Sequence, residues 1–150
     1  MTENDPGQQV VVAGVDGSPE SIAALRWASR YAAATGATVR AVRAWHYPSA
    51  VGPASVGVAP NPVTSEVEAH IEAELTGDLA QVYPDPAADQ LEIRVECGHP
   101  AEVLIAESKE ADLLVVGHRG HGAFTGMLLG SVSIHCVTHA FCPVVVIRGQ

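Results

Sequence analysis

The sequence predicts a single-domain α/β protein built on an open, five-stranded parallel sheet with helices on both faces. Three observations carry that expectation. Val10–Val15, Leu113–Val116 and Val144–Ile147 are short, continuous, mostly β-branched apolar runs, the pattern of strands covered on both sides. Segments of helical length with start and stop signals separate the runs. The 150 residues, 47% of them apolar and 17% charged, suit one domain around one core.

The elements follow in order. The first run ends at Asp16-Gly17. Ser18 then supplies an N-cap, Pro19 the first helical position, and Glu20 a carboxylate near the positive helix end. This helix is expected to reach about Thr35 and to stop at Gly36. Thr38–Trp45 reads as a longer, more mixed strand. Pro48–Thr64 is rich in Pro, Gly, Ala and Ser and carries no charge; it reads as a loop, either a lid over a site or a plain connector. From Ser65 to about Val82, Val67, Ile71, Leu75 and Leu79 recur four apart on one helix face, and Pro84 ends the run. Leu91–Glu96 alternates, with Leu91, Ile93 and Val95 on one face, as at a sheet edge. Pro100 to about Glu107 and Ser131 to about His139 are the third and fourth helices. The order βαβαβαβαβ calls for right-handed crossovers and a doubly wound sheet. Ligands of such sheets bind at the carboxyl ends of the strands, where the strand order reverses. Residues 1–9 are polar and read as a flexible tail before a domain spanning 10–150.

Charge and cysteine content exclude several classes. The formal net charge is −9, with 8 Lys+Arg in all. Nucleic acid is bound by neutralising its phosphates with cations, so it is not an expected partner, and anionic membrane surfaces are disfavoured for the same reason. No apolar run approaches the length of a membrane span, and the N-terminus has no secretory core. Cys97, Cys136 and Cys142 are odd in number and irregular in spacing. They read as free buried thiols in a reducing compartment, the cytoplasm.

The chemistry concentrates between Gly117 and Ser133, where five of the 14 glycines fall: Gly117, Gly120, Gly122, Gly126 and Gly130. This segment leaves a buried strand and enters a helix. Glycine there permits close approach of backbone to ligand, and successive N–H groups form an anion-binding concavity. The helix starting near Ser131 adds its own unpaired N–H groups and its positive end. Ser131 and Ser133 offer hydroxyls, and Arg119 offers a permanent cation able to pair with phosphate. The set points to a phosphorylated ligand; the plainer alternative is that the glycines only serve turns. No lysine stands where a P-loop needs one. The loose Gly120-x-Gly122-x-x-x-Gly126 pattern follows a late strand and lacks the later carboxylate of a dinucleotide fingerprint.

The segment resembles a known signature. Gly117, Gly120 and Gly130-Ser131 match the G-x2-G-x9-G-[ST] pattern of the universal stress proteins at both spacings. Val15-Asp16-Gly17-Ser18, Ala111 to Gly117, and Cys142 to Val146 extend the resemblance over nearly the whole chain. The resemblance implies strand order 3-2-1-4-5 in a fold like that of the adenine-nucleotide alpha-hydrolases, with ATP bound across strands 1 and 4. It assigns Val15, Asp16, Ala44, Val116, Gly117, Arg119, Gly120, Gly130, Ser131, Val132 and Ser133 to the nucleotide. Asp16 would contact ribose or a phosphate-bound Mg²⁺, and Ala44 would lie against adenine.

Other residues have plainer roles beside functional ones. Asp16 also suits an Asx turn. His118 and His121 read as solvent-exposed loop histidines that can touch phosphate. His135 and His139 share a helix face without a convincing set of metal ligands. No nucleophile–base pair can be assembled, so the expected function is a nucleotide-responsive stress or signalling module with slow or no hydrolysis. The alternatives are a cAMP-binding protein of the same fold or an enzyme that cleaves or transfers part of ATP. Val144–Ile147 is an apolar strand expected at a sheet edge, and pairing of two such edges predicts a homodimer.

Overall fold

The computed structural model describes residues 7–46, 62–85, 90–120, 126 and 128–149. Five parallel strands and four helices alternate: β1 (Val10–Gly14), α1 (Pro19–Thr35), β2 (Thr38–Trp45), α2 (Pro62–Ala80), β3 (Leu91–Cys97), α3 (Pro100–Ser108), β4 (Leu113–Gly117), α4 (Ser131–His139) and β5 (Val144–Ile147). The sheet order is β3-β2-β1-β4-β5, as the resemblance implied.

β1 is the centre of the molecule. Val11, Ala13 and Val15 point to one face, where Leu25, Ala28 and Ala32 of α1 and Leu75 and Leu79 of α2 cover them. Val10 and Val12 point to the other face, toward Leu104 of α3 and Cys136 of α4. Burial on both faces is why β1 and β4 read as unbroken apolar runs. β2 departs from that pattern because Arg40 lies within it.

Arg40 is almost wholly buried, with its side chain 4% exposed. Its Nε donates to Glu92 of β3 at 2.8 Å and its Nη1 to Glu107 of α3 at 3.2 Å. Arg94 holds the same Glu107 carboxylate from the next strand. Burial works against the Arg40 charge, but Glu92 and Glu107 more than offset it and hold the pKa above its usual value. The cluster fastens α3 across β2 and β3.

Capping follows the sequence. Ser18 accepts from Ser21 N, and Gly36 closes α1 in the left-handed region at φ 78°. α2 begins at Pro62, not Ser65, and so takes Pro62–Thr64 from the expected loop; proline is preorganised for a first helical turn. α2 stops at Ala80, where Gln81 N and Val82 N bond back to Asp78 and Leu79 in a tighter turn. The rest of the expected loop, 48–61, lies outside the described residues. Gln8 and Gln9 are tied to Thr38 by Gln8 Nε2 to Oγ1 and Thr38 N to Gln9 O. Among the described residues no helix is long and apolar enough to cross a membrane.

Glu107→Ala would leave Arg40, in a nearly dry site, with Glu92 and the more distant, exposed Glu110. Breaking a buried pair in this way costs about 3 kcal/mol. The expected outcome is a clear fall in the denaturant midpoint with an unchanged slope; an unaltered midpoint would show that the cluster does not fasten α3.

Candidate functional site

β2 lies on one side of β1 and β4 on the other, so the crossovers diverge above the carboxyl ends of β1 and β4. A cavity of about 380 Å³ opens there. All eleven residues assigned from the sequence line it: Val15, Asp16, Ala44, Val116, Gly117, Arg119, Gly120, Gly130, Ser131, Val132 and Ser133. Gly14, Ser21, Val42, Pro100 and Leu104 complete the wall. Val42 was recoverable by alternation, two residues before Ala44 on the same face. Pro100 and Leu104 come from α3 and carry no local signal.

The loop after β4 is closed onto the start of α4 by two short hydrogen bonds. Gly130 N donates to His118 O at 2.7 Å, and Ser133 Oγ donates to Gly117 O at 2.6 Å. The Ser133 hydroxyl proton is therefore spent within the fold, which corrects its expected use toward a ligand. Gly130 is the N-cap of α4 and makes no side-chain cap. The first-turn N–H groups of Ser131, Val132 and Ser133 thus meet the cavity without a capping oxygen, the arrangement that favours an anion.

Two glycines of the signature differ in role. A Cβ on Gly117 would stand 2.8–2.9 Å from the backbone of Glu20 in α1. Gly117 is thus required by packing against α1, where the sequence reading had it admit a ligand. A Cβ on Gly130 would meet protein atoms no nearer than 3.4 Å. At Gly120 the added atom would lie 2.5 Å from Asp16 Oδ2, so the Asp16 carboxylate lies directly against the loop.

Asp16 forms the Asx turn expected of it. Its Oδ1 accepts from Ser18 N at 2.9 Å and from the Ser18 hydroxyl, and Asp16 N donates to Ser21 Oγ. Ser21 thereby joins the site through its hydroxyl.

His118 is 6% exposed, a correction to its reading as a solvent-exposed loop residue. It sits beneath the loop, where Arg119 Nε donates to its Nε2 at 3.0 Å. Arg119 Nη2 lies 3.8 Å from Glu20 Oε1. His121 lies outside the described residues, and His135 and His139 are exposed on α4.

The thiols also divide. Cys136 is buried, Cys142 half-buried and Cys97 exposed, so Cys97 departs from the expected burial; all three are free. Burial, with a smaller contribution from Cys142, pushes the Cys136 thiol up to about 11.

The Universal stress protein family matches residues 8–148. The chain belongs to the universal stress protein family. A universal stress protein of Mycolicibacterium smegmatis is 39% identical over 143 residues, covering 92% of this chain and 45% of that relative. The chain thus spans about half the length of the curated relatives it matches. Among solved structures, a universal stress protein in complex with cAMP is 28% identical, with TM-score 0.65 over 95% of this chain and 98% of that one. UspA from Lactobacillus plantarum superposes with TM-score 0.72 at 24% identity, over 93% and 97% of the two chains, and shares the fold.

Within this universal stress protein fold, Gly117→Ala should be destabilised by about 2 kcal/mol, the typical cost of overpacking a close contact. Gly130→Ala should fold with wild-type stability. Thermal unfolding of the two variants separates them, and equal melting temperatures would show that the approach of Gly117 to Glu20 does not constrain the fold.

Proposed function

We propose that the chain is an ATP-binding universal stress protein, a nucleotide-responsive module with slow or no hydrolysis. The observation that carries this reading is the convergence of the four signature positions, and of the other seven that the resemblance assigns, on one cavity beside an uncapped helix start. In this reading the phosphates lie on the N–H groups of the 117–120 turn and of the first turn of α4. The base lies toward Val42 and Ala44, on the apolar wall completed by Leu104. Asp16, whose Oδ2 faces Gly120, would face a Mg²⁺ ion held by those phosphates. The donor set fits such a phosphate-held ion, and the ion would supply charge neutralisation.

A second reading keeps the cavity and makes cAMP the ligand. It is favoured by the relative solved with cAMP, which is 28% identical over 95% of this chain. Equilibrium titration with ATP and Mg²⁺, followed by displacement with cAMP, distinguishes the two. Saturable ATP binding that resists a tenfold excess of cAMP is the expected outcome. Displacement by equimolar cAMP would favour the second reading, and no binding of either at millimolar concentration would overturn both.

We further propose a homodimer through β5, in the cytoplasm. β5 ends the sheet order, so one side of Val144–Ile147 lacks a strand partner within the sheet. Ile134, Val137 and Phe141 beside it are large apolar residues exposed by 47%, 53% and 65%. Apolar edges of this kind pair unless charge or proline blocks them. Sedimentation at micromolar concentration should give a dimer that Val145→Asp converts to a folded monomer. A wild-type monomer, or a dimer indifferent to the change, would refute it.

A further inference from the structure

Arg119 is the permanent cation of the cavity wall, and a long side chain at a loop tip is ordinarily free to swing. Here it is not. Its Nε donates to His118 Nε2 at 3.0 Å. His118 is itself fixed: its N donates to Ile147 O at 2.8 Å, its O accepts from Gly130 N at 2.7 Å, and its ring is buried. A neutral imidazole accepts at one nitrogen only. Two donors face the ring, Arg119 Nε at Nε2 and, at a longer 3.4 Å, Gly149 N at Nδ1; the shorter contact marks Nε2 as the accepting nitrogen.

The bond uses the inner nitrogen of the guanidinium and leaves the outer edge, the fork that pairs with phosphate. Among the described residues, the outer edge makes one long contact, Nη2 to Glu20 Oε1 at 3.8 Å. A phosphate oxygen would replace that contact without disturbing the inner one.

We propose that His118 is a positioning residue for phosphate: its buried Nε2 holds Arg119 by Nε, so that the guanidinium fork is set before the nucleotide arrives. The proposal rests on the nucleotide reading above and adds a residue that touches no ligand. The binding gain comes from ordering Arg119 in advance, so it applies to phosphate and not to the base.

The experiment is a set of titrations with ATP and with adenosine, on wild type, His118→Ala, His118→Gln, Arg119→Ala and the double variant His118→Ala/Arg119→Ala. His118→Ala should weaken ATP binding about threefold to tenfold, the affinity equivalent of ordering one more long side chain. Adenosine binding should not change. His118→Gln, whose amide oxygen can accept from Nε, should restore most of the loss. In the Arg119→Ala background, removing His118 should cost nothing further. Equal losses for ATP and adenosine, or the same loss with Arg119 already absent, would make His118 merely structural and overturn the proposal. If alanine unfolds the buried site, His118→Phe fills the volume, accepts no hydrogen bond and replaces it in every comparison. A wild-type chain that binds neither ATP nor adenosine would overturn the nucleotide reading itself, and this proposal with it.

Discussion

The cavity depends on the closure of the loop after β4 onto the start of α4. Gly130 N to His118 O, and Ser133 Oγ to Gly117 O, bring residues twelve and sixteen positions apart into contact. Without these bonds the first turn of α4 would not face the end of β4, and the N–H groups of loop and helix would not converge. Gly117 permits the closure from below, because its missing Cβ lets β4 end against the backbone of Glu20.

That arrangement explains how an acidic chain can present a site for an anion. The net charge is −9, and a distant phosphate feels that field as repulsion. At contact distance, oriented N–H groups act through fixed partial charges in a site partly withdrawn from water, where they are weakly screened. Arg119 adds one permanent cation at the same place. In the proposed reading, selectivity for phosphate would depend on backbone geometry more than on an excess of basic side chains.

Much of this was legible in the sequence because its signals are local. The apolar runs of β1, β4 and β5, the Ser18 cap, the Gly36 stop and the G-x2-G-x9-G-[ST] spacing each need only neighbouring residues to be read. The features that escaped are long-range. Arg40 looks like a flaw in a strand until Glu107, 67 residues later, is brought beside it. His118 looks like an exposed loop residue because Ile147 and the α4 start that bury it are distant in the chain. Gly117 matches the signature, but the contact that forbids a side chain there comes from α1, nearly a hundred residues earlier. The extension of α2 to Pro62 was missed because proline in a Pro- and Gly-rich stretch reads as loop until a helix is seen to follow it.

The inner face of α1 bears a further consequence. Ser21, Ala24, Ala28 and Ala32 are buried beside two large residues of the same turns, Ile22 and Leu25. A helix lined with small side chains lies close to its sheet, and the space it leaves is too narrow to absorb a bulkier residue. α2 is held instead by Leu75 and Leu79, and side chains of that size can be exchanged for other large aliphatic groups with repacking. Over many generations the two helices should therefore drift at different rates. α1 would keep a near-fixed alphabet of small residues on its inner face, while α2 wanders among Leu, Ile and Met.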